Sequence, residues 1–171
     1  MKCPACGSEN IPGTDVCAEC GASLTHEDYP TATTEAHHSI MTDLVSDLNP
    51  RSPISVSVDA SVADAVETML SGGIGCVLIL DDAGRLAGIF SETDAVRRVA
   101  GQIDNLPEVS VREVATHRPS TLPADVPIAH ALHLMGLHGF RHVPLVDADG
   151  RPTGVISSRD IVRFIEKNFA A

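Results

Sequence analysis

The feature that most constrains the fold of this chain is an internal duplication. When the sequence is shifted by 66 residues, the segment 45–97 aligns with the segment 111–163 without a gap. The identical pairs include Val45 and Val111, Met69 and Met135, Gly84 and Gly150, Asp94 and Asp160, and Arg97 and Arg163. One copy of about 55 residues buries too little surface to be stable alone. We therefore expect the two copies to pack together around a shared core.

Each copy predicts the same order of elements, β-α-β-β-α. An extended segment, 54–58 or 120–122, is followed by apolar residues at helical spacing. A short apolar strand, an Asp-to-Gly turn and a second strand come next in both copies. A further helix begins at Ser91 in the first copy and at Ser157 in the second.

A second feature is a cluster of cysteines near the start of the chain. Four of the five cysteines have the spacing C-x2-C-x10-C-x2-C. These four are Cys3, Cys6, Cys17 and Cys20. Each C-x-x-C pair can turn two thiolates toward one point, and two pairs complete a tetrahedron around Zn²⁺. We predict a structural zinc site, with two disulfides or a redox-active C-x-x-C as the alternatives.

The net charge of the chain argues against two classes of binding partner. Acidic residues number 23 and basic residues 12, which gives a net charge of −11. A surface of this charge repels phosphate backbones and anionic lipid, which argues against binding to nucleic acid or to a membrane. The start of the chain lacks the apolar stretch of a signal peptide, and apolar runs such as 76–80 are far shorter than the ~18 residues of a membrane span. We expect a cytoplasmic protein.

Both copies carry one seven-residue motif where their second predicted strand ends. The motif is G-h-h-[ST]-x-x-D, with h apolar, and reads Gly88-Ile89-Phe90-Ser91-Glu92-Thr93-Asp94 and Gly154-Val155-Ile156-Ser157-Ser158-Arg159-Asp160. With Arg141-His142-Val143-Pro144-Leu145-Val146-Asp147 and the repeat, residues 42–169 resemble a cystathionine β-synthase (CBS) domain pair, or Bateman module. The segments Cys3-Pro4-Ala5-Cys6-Gly7 and Cys17-Ala18-Glu19-Cys20-Gly21 resemble the short zinc ribbons of many bacterial and archaeal proteins.

These resemblances imply an α+β fold, in which tandem β-α-β-β-α CBS repeats pack as a pair after a small zinc ribbon with four cysteine ligands. The predicted divisions are the zinc ribbon at 1–24, a linker at 25–41, the first CBS repeat at 42–101, an inter-repeat linker at 102–110 and the second repeat at 111–171. The first linker is predicted because its residues show no apolar period.

The CBS resemblance implies that adenosine nucleotides bind in clefts between the two copies. It assigns phosphate contact to the hydroxyls of Ser91 and Ser157, and ribose contact to the carboxylates of Asp94 and Asp160. It also implies that backbone near Thr121 contacts the adenine. Ser-x-x-Asp at a helix start is at the same time close to a capping box, so these side chains have a purely structural alternative.

Basic residues distinguish the second motif from the first. Arg141, His142 and Arg159 lie around the second motif and can neutralise a phosphate. The first copy has no basic residue at the corresponding positions, and Glu92 adds a negative charge there. The first motif is therefore the weaker candidate for a phosphate contact. A solvated strand end is the alternative for Arg141 and His142.

We expect a regulatory protein without enzymatic activity that senses AMP, ADP or ATP and signals through the zinc ribbon to a protein partner. The resemblance also implies a homodimer formed through helices of both copies. Three alternatives stay open. They are a structural dimerisation module with empty clefts, a nucleic-acid-associated regulator that uses the ribbon, and a redox enzyme that uses the C-x-x-C pairs.

Overall fold

The order of secondary structure follows the predicted repeat. The computed structural model describes residues 2–3, 5–11, 13–24, 34–101 and 104–169. Within these ranges the helices are α1 (Glu35–Thr42), α2 (Val62–Gly72), α3 (Glu92–Asp94), α4 (Val111–Val114), α5 (Ile128–His138) and α6 (Ser158–Phe169). The strands are β1 (Ser55–Ser57), β2 (Cys76–Leu80), β3 (Leu86–Ser91), β4 (Thr116–His117), β5 (His142–Val146) and β6 (Pro152–Ser157). None of these helices combines the length and apolar composition needed to cross a bilayer.

Three shorter helical turns complete the described elements. A π-helical stretch, Ala95–Val99, continues α3, and 3-10 turns lie at Val45–Leu48 and Leu106–Glu108. The mixture of helices with short strands confirms the α+β prediction. The chain divides into a helical unit, Met1–Pro50 with Leu122–Val143 and Ile156–Ala171, and a sheet unit, Arg51–Thr121 with Pro144–Val155.

The sheet unit is built on β2, whose residues are all apolar. The strand order is β1-β2-β3-β4, with β1 parallel to β2 and the other two pairings antiparallel. The main core unites residues of α2, the sheet and α4, among them Val62, Ala65, Met69, Val77, Ile79, Phe90, Val111 and Val114. A smaller cluster of Cys76, Leu78 and Ile89 uses the alternate residues of the same strands. Both faces of β2 are thus buried.

Tight turns join the two strands of each copy, as predicted. The backbone carbonyl of Asp81 accepts from the N–H of Gly84 over 2.9 Å, and the carbonyl of Asp147 accepts from Gly150 over 3.1 Å. Both glycines have a positive φ, 74° and 78°, which a residue without a Cβ adopts readily. The strands of the second copy, β5 and β6, form a two-stranded sheet.

The predicted strand at 120–122 is not formed, which corrects the expected opening of the second copy. Pro119 and Pro123 flank this segment, and proline has no N–H to donate to a strand ladder. β4 (Thr116–His117) is a separate strand before this segment and pairs with β3, with Gly88 opposite His117. In the other copy, Arg51 forms the corresponding bridge to Val155.

The region predicted as a linker contains α1. Thr34 caps this helix by accepting the N–H of His37 at Oγ1 over 3.1 Å, and α1 packs against α5 and α6. Its apolar residues, such as Ile40 and Met41, are too few to give a visible period in the sequence. The neighbouring helices therefore stabilise α1 more than its own composition does. Residues 25–33 of the predicted linker lie outside the described residues.

Candidate functional site

Two similar knuckles position the cysteine cluster. In the first, the N–H of Gly7 donates to the carbonyl of Cys3 over 2.9 Å, and in the second Gly21 donates to Cys17 over 2.9 Å. The glycines have φ values of 75° and 71°, so both knuckles need a residue that tolerates the left-handed region. Leu24 is buried beside Cys3 and Cys17 and forms a small core with them.

The four sulfur atoms have the spacing of a tetrahedral metal site. Cys3 Sγ lies 3.7 Å from Cys20 Sγ, and Cys6 Sγ lies 3.6 Å from Cys17 Sγ. All four lie within 4.8 Å of one another. A zinc–sulfur bond of about 2.3 Å places tetrahedral ligands about 3.8 Å apart. A disulfide requires about 2.05 Å. These cysteines can hold a metal ion, as predicted, and the described cysteines are free thiols.

Burial and hydrogen bonding shift the pKa values of the cysteine thiols in different directions. Burial raises the pKa of Cys3 and of Cys20. Burial also acts against ionisation of Cys17, but the N–H groups of Cys20 and Glu19 and the side chain of Asn10 lower its pKa to about 6. A cation at the centre would favour the thiolate of every ligand.

The first motif closes on itself as a capping box. The backbone N–H and the hydroxyl of Ser91 donate to Asp94 Oδ2 over 3.0 and 2.7 Å, and the N–H of Asp94 donates back to Ser91 Oγ over 3.4 Å. Asp94 is buried. Its other oxygen, Oδ1, accepts from Thr116 Oγ1 over 3.3 Å and lies 3.4 Å from Arg98 Nη1.

The second motif has the same cap but a different surrounding. The N–H and the hydroxyl of Ser157 donate to Asp160 Oδ2 over 2.8 and 2.6 Å, while Oδ1 lies 3.7 Å from Arg163 Nη1. The helix that follows, α6, has 12 residues, whereas α3 and the π-helical stretch that continues it together have eight. Glu92 lies in the first turn of α3 and Arg159 in the first turn of α6, so the amino end of α6 is the more favourable place for an anion. The capping alternative is confirmed for the first motif, and the second shows the bonds from Ser157 to Asp160. The ligand roles of both motifs stay predictions.

Arg141 reaches the second motif through its backbone. Its carbonyl accepts from the N–H of Ser158 over 3.0 Å, and the carbonyl of Gly75 accepts from Glu92 over 3.0 Å at the corresponding point of the first copy. The repeat thus places an arginine beside the start of α6 and a glycine beside the start of α3. The side chain of Arg141 is exposed.

The other predicted basic and adenine-contacting residues are less defined. Arg159 is exposed in the first turn of α6, and His142 is half-buried where β5 begins. Thr121 is half-buried and is the last residue of the first segment of the sheet unit. These positions are compatible with the predicted roles, which stay predictions.

Three residues that contact the motif carboxylates were not predicted as site residues from the sequence. Arg98 follows Asp94 by four residues and Arg163 follows Asp160 by three, a spacing that places both members of each ion pair on one helix face. That spacing is sufficient to find them. Thr116 lies 22 residues from Asp94, and only the pairing of β3 with β4 brings them together.

Comparison with protein families gives a match over both copies. The model described as "CBS domain" matches residues 45–101 and 111–167. Arabinose 5-phosphate isomerase of Pseudomonas aeruginosa is 33% identical over 108 residues, which cover 63% of this chain and 33% of the isomerase. The chain covers 33% to 64% of the length of the first curated relatives that it matches.

Solved structures give the same result. A CBS domain protein from Pyrobaculum aerophilum complexed with AMP is 26% identical, with a TM-score of 0.64 over 72% of this chain and 98% of that protein. The CBS domain pair of protein MJ0100, in complex with 5′-methylthioadenosine and S-adenosyl-L-methionine, is 27% identical. Its TM-score is 0.65 over 71% of this chain and 98% of that pair.

Proposed function

The chain belongs to the CBS domain family, and on this premise we propose that it is a regulatory, non-enzymatic protein that binds an adenosine nucleotide at its second motif. The proposal rests on the contacts of the two carboxylate oxygens of Asp160. One carboxylate oxygen holds the cap, and the other faces, among the described residues, only Arg163 at 3.7 Å. A ribose presents two adjacent hydroxyl donors, so Asp160 Oδ1 can accept from one of them without losing the cap.

The phosphate of the proposed ligand contacts the start of α6. The hydroxyl of Ser157 donates to the phosphate in exchange for its bond to Asp160 Oδ2, while the Ser157 N–H keeps its bond to that carboxylate. The first N–H groups of α6 supply further donors, and the helix dipole favours an anion there. Arg159 lies in this first turn, and the backbone of Arg141 bonds to it. His142 follows Arg141, so three basic side chains come from the ends of two adjacent elements. The resemblance adds an adenine contact near Thr121.

The ligands bound to related proteins support the adenosine assignment. AMP in one similar structure, and 5′-methylthioadenosine with S-adenosyl-L-methionine in another, share an adenosine group. Because the second and third lack a phosphate ester, the common element is the adenine with its ribose. We therefore expect ribose recognition by Asp160 to matter more for binding than the number of phosphates.

We also propose that residues 1–24 are a zinc ribbon that signals to a protein partner. The sulfur distances of 3.6 and 3.7 Å suit zinc, and four sulfur ligands leave no open position for metal catalysis. Such thiolates persist in reducing compartments, which supports a cytoplasmic location. The net charge of −11 favours a protein over a nucleic acid as the partner.

The remaining divisions of the chain belong to the same proposal. They are the linker at 25–41, of which 35–41 is helical in α1, the repeats at 42–101 and 111–171, and the connection at 102–110.

We propose a homodimer formed through helices of both copies. Val96 and Val162 occupy equivalent positions in the repeat and are 70% and 63% exposed, so a second copy of the chain can bury both.

A ligand series tests the nucleotide proposal. Thermal shift and titration calorimetry with AMP, ADP, ATP and S-adenosyl-L-methionine are compared with 2′,3′-dideoxy-AMP, which keeps the base and phosphate but lacks the diol. We expect AMP to stabilise the protein and the dideoxy analogue to bind at least about tenfold more weakly, because Asp160 then has no hydroxyl to accept from. Equal binding of the two analogues contradicts ribose recognition. If none of the compounds binds, the structural dimerisation module replaces the sensor.

Native mass spectrometry tests the ribbon and the dimer together. We expect the purified protein to carry one zinc ion per chain and to appear as a homodimer. A metal-free monomer with intact cysteines contradicts both parts of the proposal.

A further inference from the structure

The two motif carboxylates differ in how completely the protein itself satisfies them. In the first motif, Asp94 Oδ2 accepts two hydrogen bonds from Ser91, and Oδ1 accepts one from Thr116 and lies 3.4 Å from Arg98. Both oxygens therefore have protein partners. A ribose hydroxyl must displace one of them before it can bind to this carboxylate.

Arg98 fixes the first motif to the start of the second repeat. Its Nη1 donates to the carbonyls of Val114 and Ala115, over 2.9 Å each, at the end of α4. Thr116, the next residue, donates to Asp94. The carboxylate, the guanidinium and consecutive residues at the start of the second repeat thus form one network, in which each contact holds the others in place.

The second motif cannot form this network. A shift of 66 residues places Phe164 at the position of Arg98 and Pro50 at the position of Thr116. Neither side chain can donate a hydrogen bond. Arg163 corresponds to Arg97, and its nitrogen is 3.7 Å from Asp160, which is an ion-pair distance rather than a hydrogen bond.

We propose that Asp94, Arg98 and Thr116 form a latch that closes the first motif to ligands, so that each chain binds one nucleotide, at Asp160. We call these three residues the first-motif latch. Its role in the fold is to hold α3 against β4, while the ligand stoichiometry rests on the function proposed above. The charge of Glu92 in the first turn of α3 acts in the same direction, because it disfavours an anion there.

The latch is tested first without ligand, on the full zinc-loaded chain. Arg98→Gln is compared with Arg163→Gln, which removes the corresponding ion pair of the second motif. We expect Arg98→Gln and Thr116→Val to lower Tm by about 2–4 °C each and Arg163→Gln to leave it nearly unchanged. The losses of Arg98→Gln and Thr116→Val are expected to be less than additive in the double variant, because both act on Asp94. Equal, small effects of Arg98→Gln and Arg163→Gln overturn the latch.

Titration calorimetry with AMP tests the stoichiometry. We expect one AMP per chain in the wild type. Thr116→Val frees Asp94 Oδ1 from its hydroxyl partner and leaves the second motif intact, so we expect it to bind one AMP with unchanged affinity and a second AMP more weakly. Two AMP molecules per wild-type chain, or loss of AMP binding in Thr116→Val, overturn the proposal. If the wild type binds no nucleotide, the proposed function fails, while the melting comparison still decides whether the latch exists.

Discussion

The carbonyl oxygen of Thr116 lies so close to Gly88 that a Cβ at residue 88 would be 3.0 Å from it. Gly88 begins the first motif and pairs with β4. Thr116 of β4 donates a hydrogen bond to Asp94. A glycine at residue 88 allows β3 and β4 to lie close enough for this bond to form. We expect Gly88→Ala to destabilise the protein by about 1–3 kcal/mol.

Gly136 offers a control of opposite sign. It lies in α5, and nothing is within 4 Å of a Cβ placed there. Alanine at this position is expected to stabilise the protein by about 0.5–1 kcal/mol. Urea denaturation measures both variants. A Gly88→Ala protein as stable as the wild type would show that β3 and β4 can separate without cost.

Loss of one cysteine ligand should release the metal. We expect about one zinc per chain in the wild type and in Cys76→Ser, and much less in Cys17→Ser, because a hydroxyl is a poor replacement for a thiolate at a tetrahedral zinc site. Metal analysis after gel filtration measures this. Far-ultraviolet circular dichroism should change little, since the described ribbon residues contribute isolated β-bridges. Full zinc content in Cys17→Ser contradicts the four-ligand site.

Cys76 should be chemically inert in the folded protein. It is buried, and burial followed by the charge of Glu92 raises the pKa of its thiol to about 12. Iodoacetamide at pH 8 is expected to label Cys76 only after denaturation. Rapid labelling of Cys76 in the native protein would contradict its burial.

The raised pKa of Cys76 predicts how the stability of the protein changes at alkaline pH. Between pH about 9 and about 12, the folded protein keeps a proton on Cys76 that the unfolded chain releases. Stability should therefore fall as pH rises through this range, and the fall should be smaller in Cys76→Ala than in the wild type.

The cap of α2 predicts an effect at acidic pH. The side chain and N–H of Ser61 lower the pKa of Asp64. The folded state therefore favours the carboxylate, and its stabilisation is present above the unfolded pKa of about 3.9 and is lost as pH falls through the lower folded value. We expect Asp64→Asn to be less stable than the wild type at pH 6 and to approach it at the lowest pH at which both fold. Parallel melting curves at every pH contradict this.

Local signals in the sequence identify the elements and the cysteine cluster. Ser91 and Ser157 precede their helices as expected, and the turns at Gly84 and Gly150 form, because capping and turn geometry depend on a few neighbouring residues. The cysteine spacing predicts the cluster, and the four sulfur atoms lie within 4.8 Å of one another.

Long-range packing determines what the sequence does not reveal. β4 forms at Thr116–His117, the predicted strand at 120–122 does not form, and α1 lies within a predicted linker. Neither depends on local preference, since a two-residue strand exists only against β3 and α1 packs against two helices. The same holds for Thr116, whose contact with Asp94 distinguishes two motifs that read alike.

Titration of AMP into Asp160→Asn and Asp64→Asn separates ribose binding by Asp160 from helix capping. The two aspartates cap their helices in the same way, with serine hydroxyls donating over 2.6 and 2.7 Å, but only Asp160 is proposed to contact ribose. We predict that Asp64→Asn binds AMP within about twofold of the wild type, while Asp160→Asn binds at least about tenfold more weakly, a loss of about 1.4 kcal/mol. Wild-type affinity in Asp160→Asn, or an equal loss in both variants, would contradict the assignment of this carboxylate to the ligand.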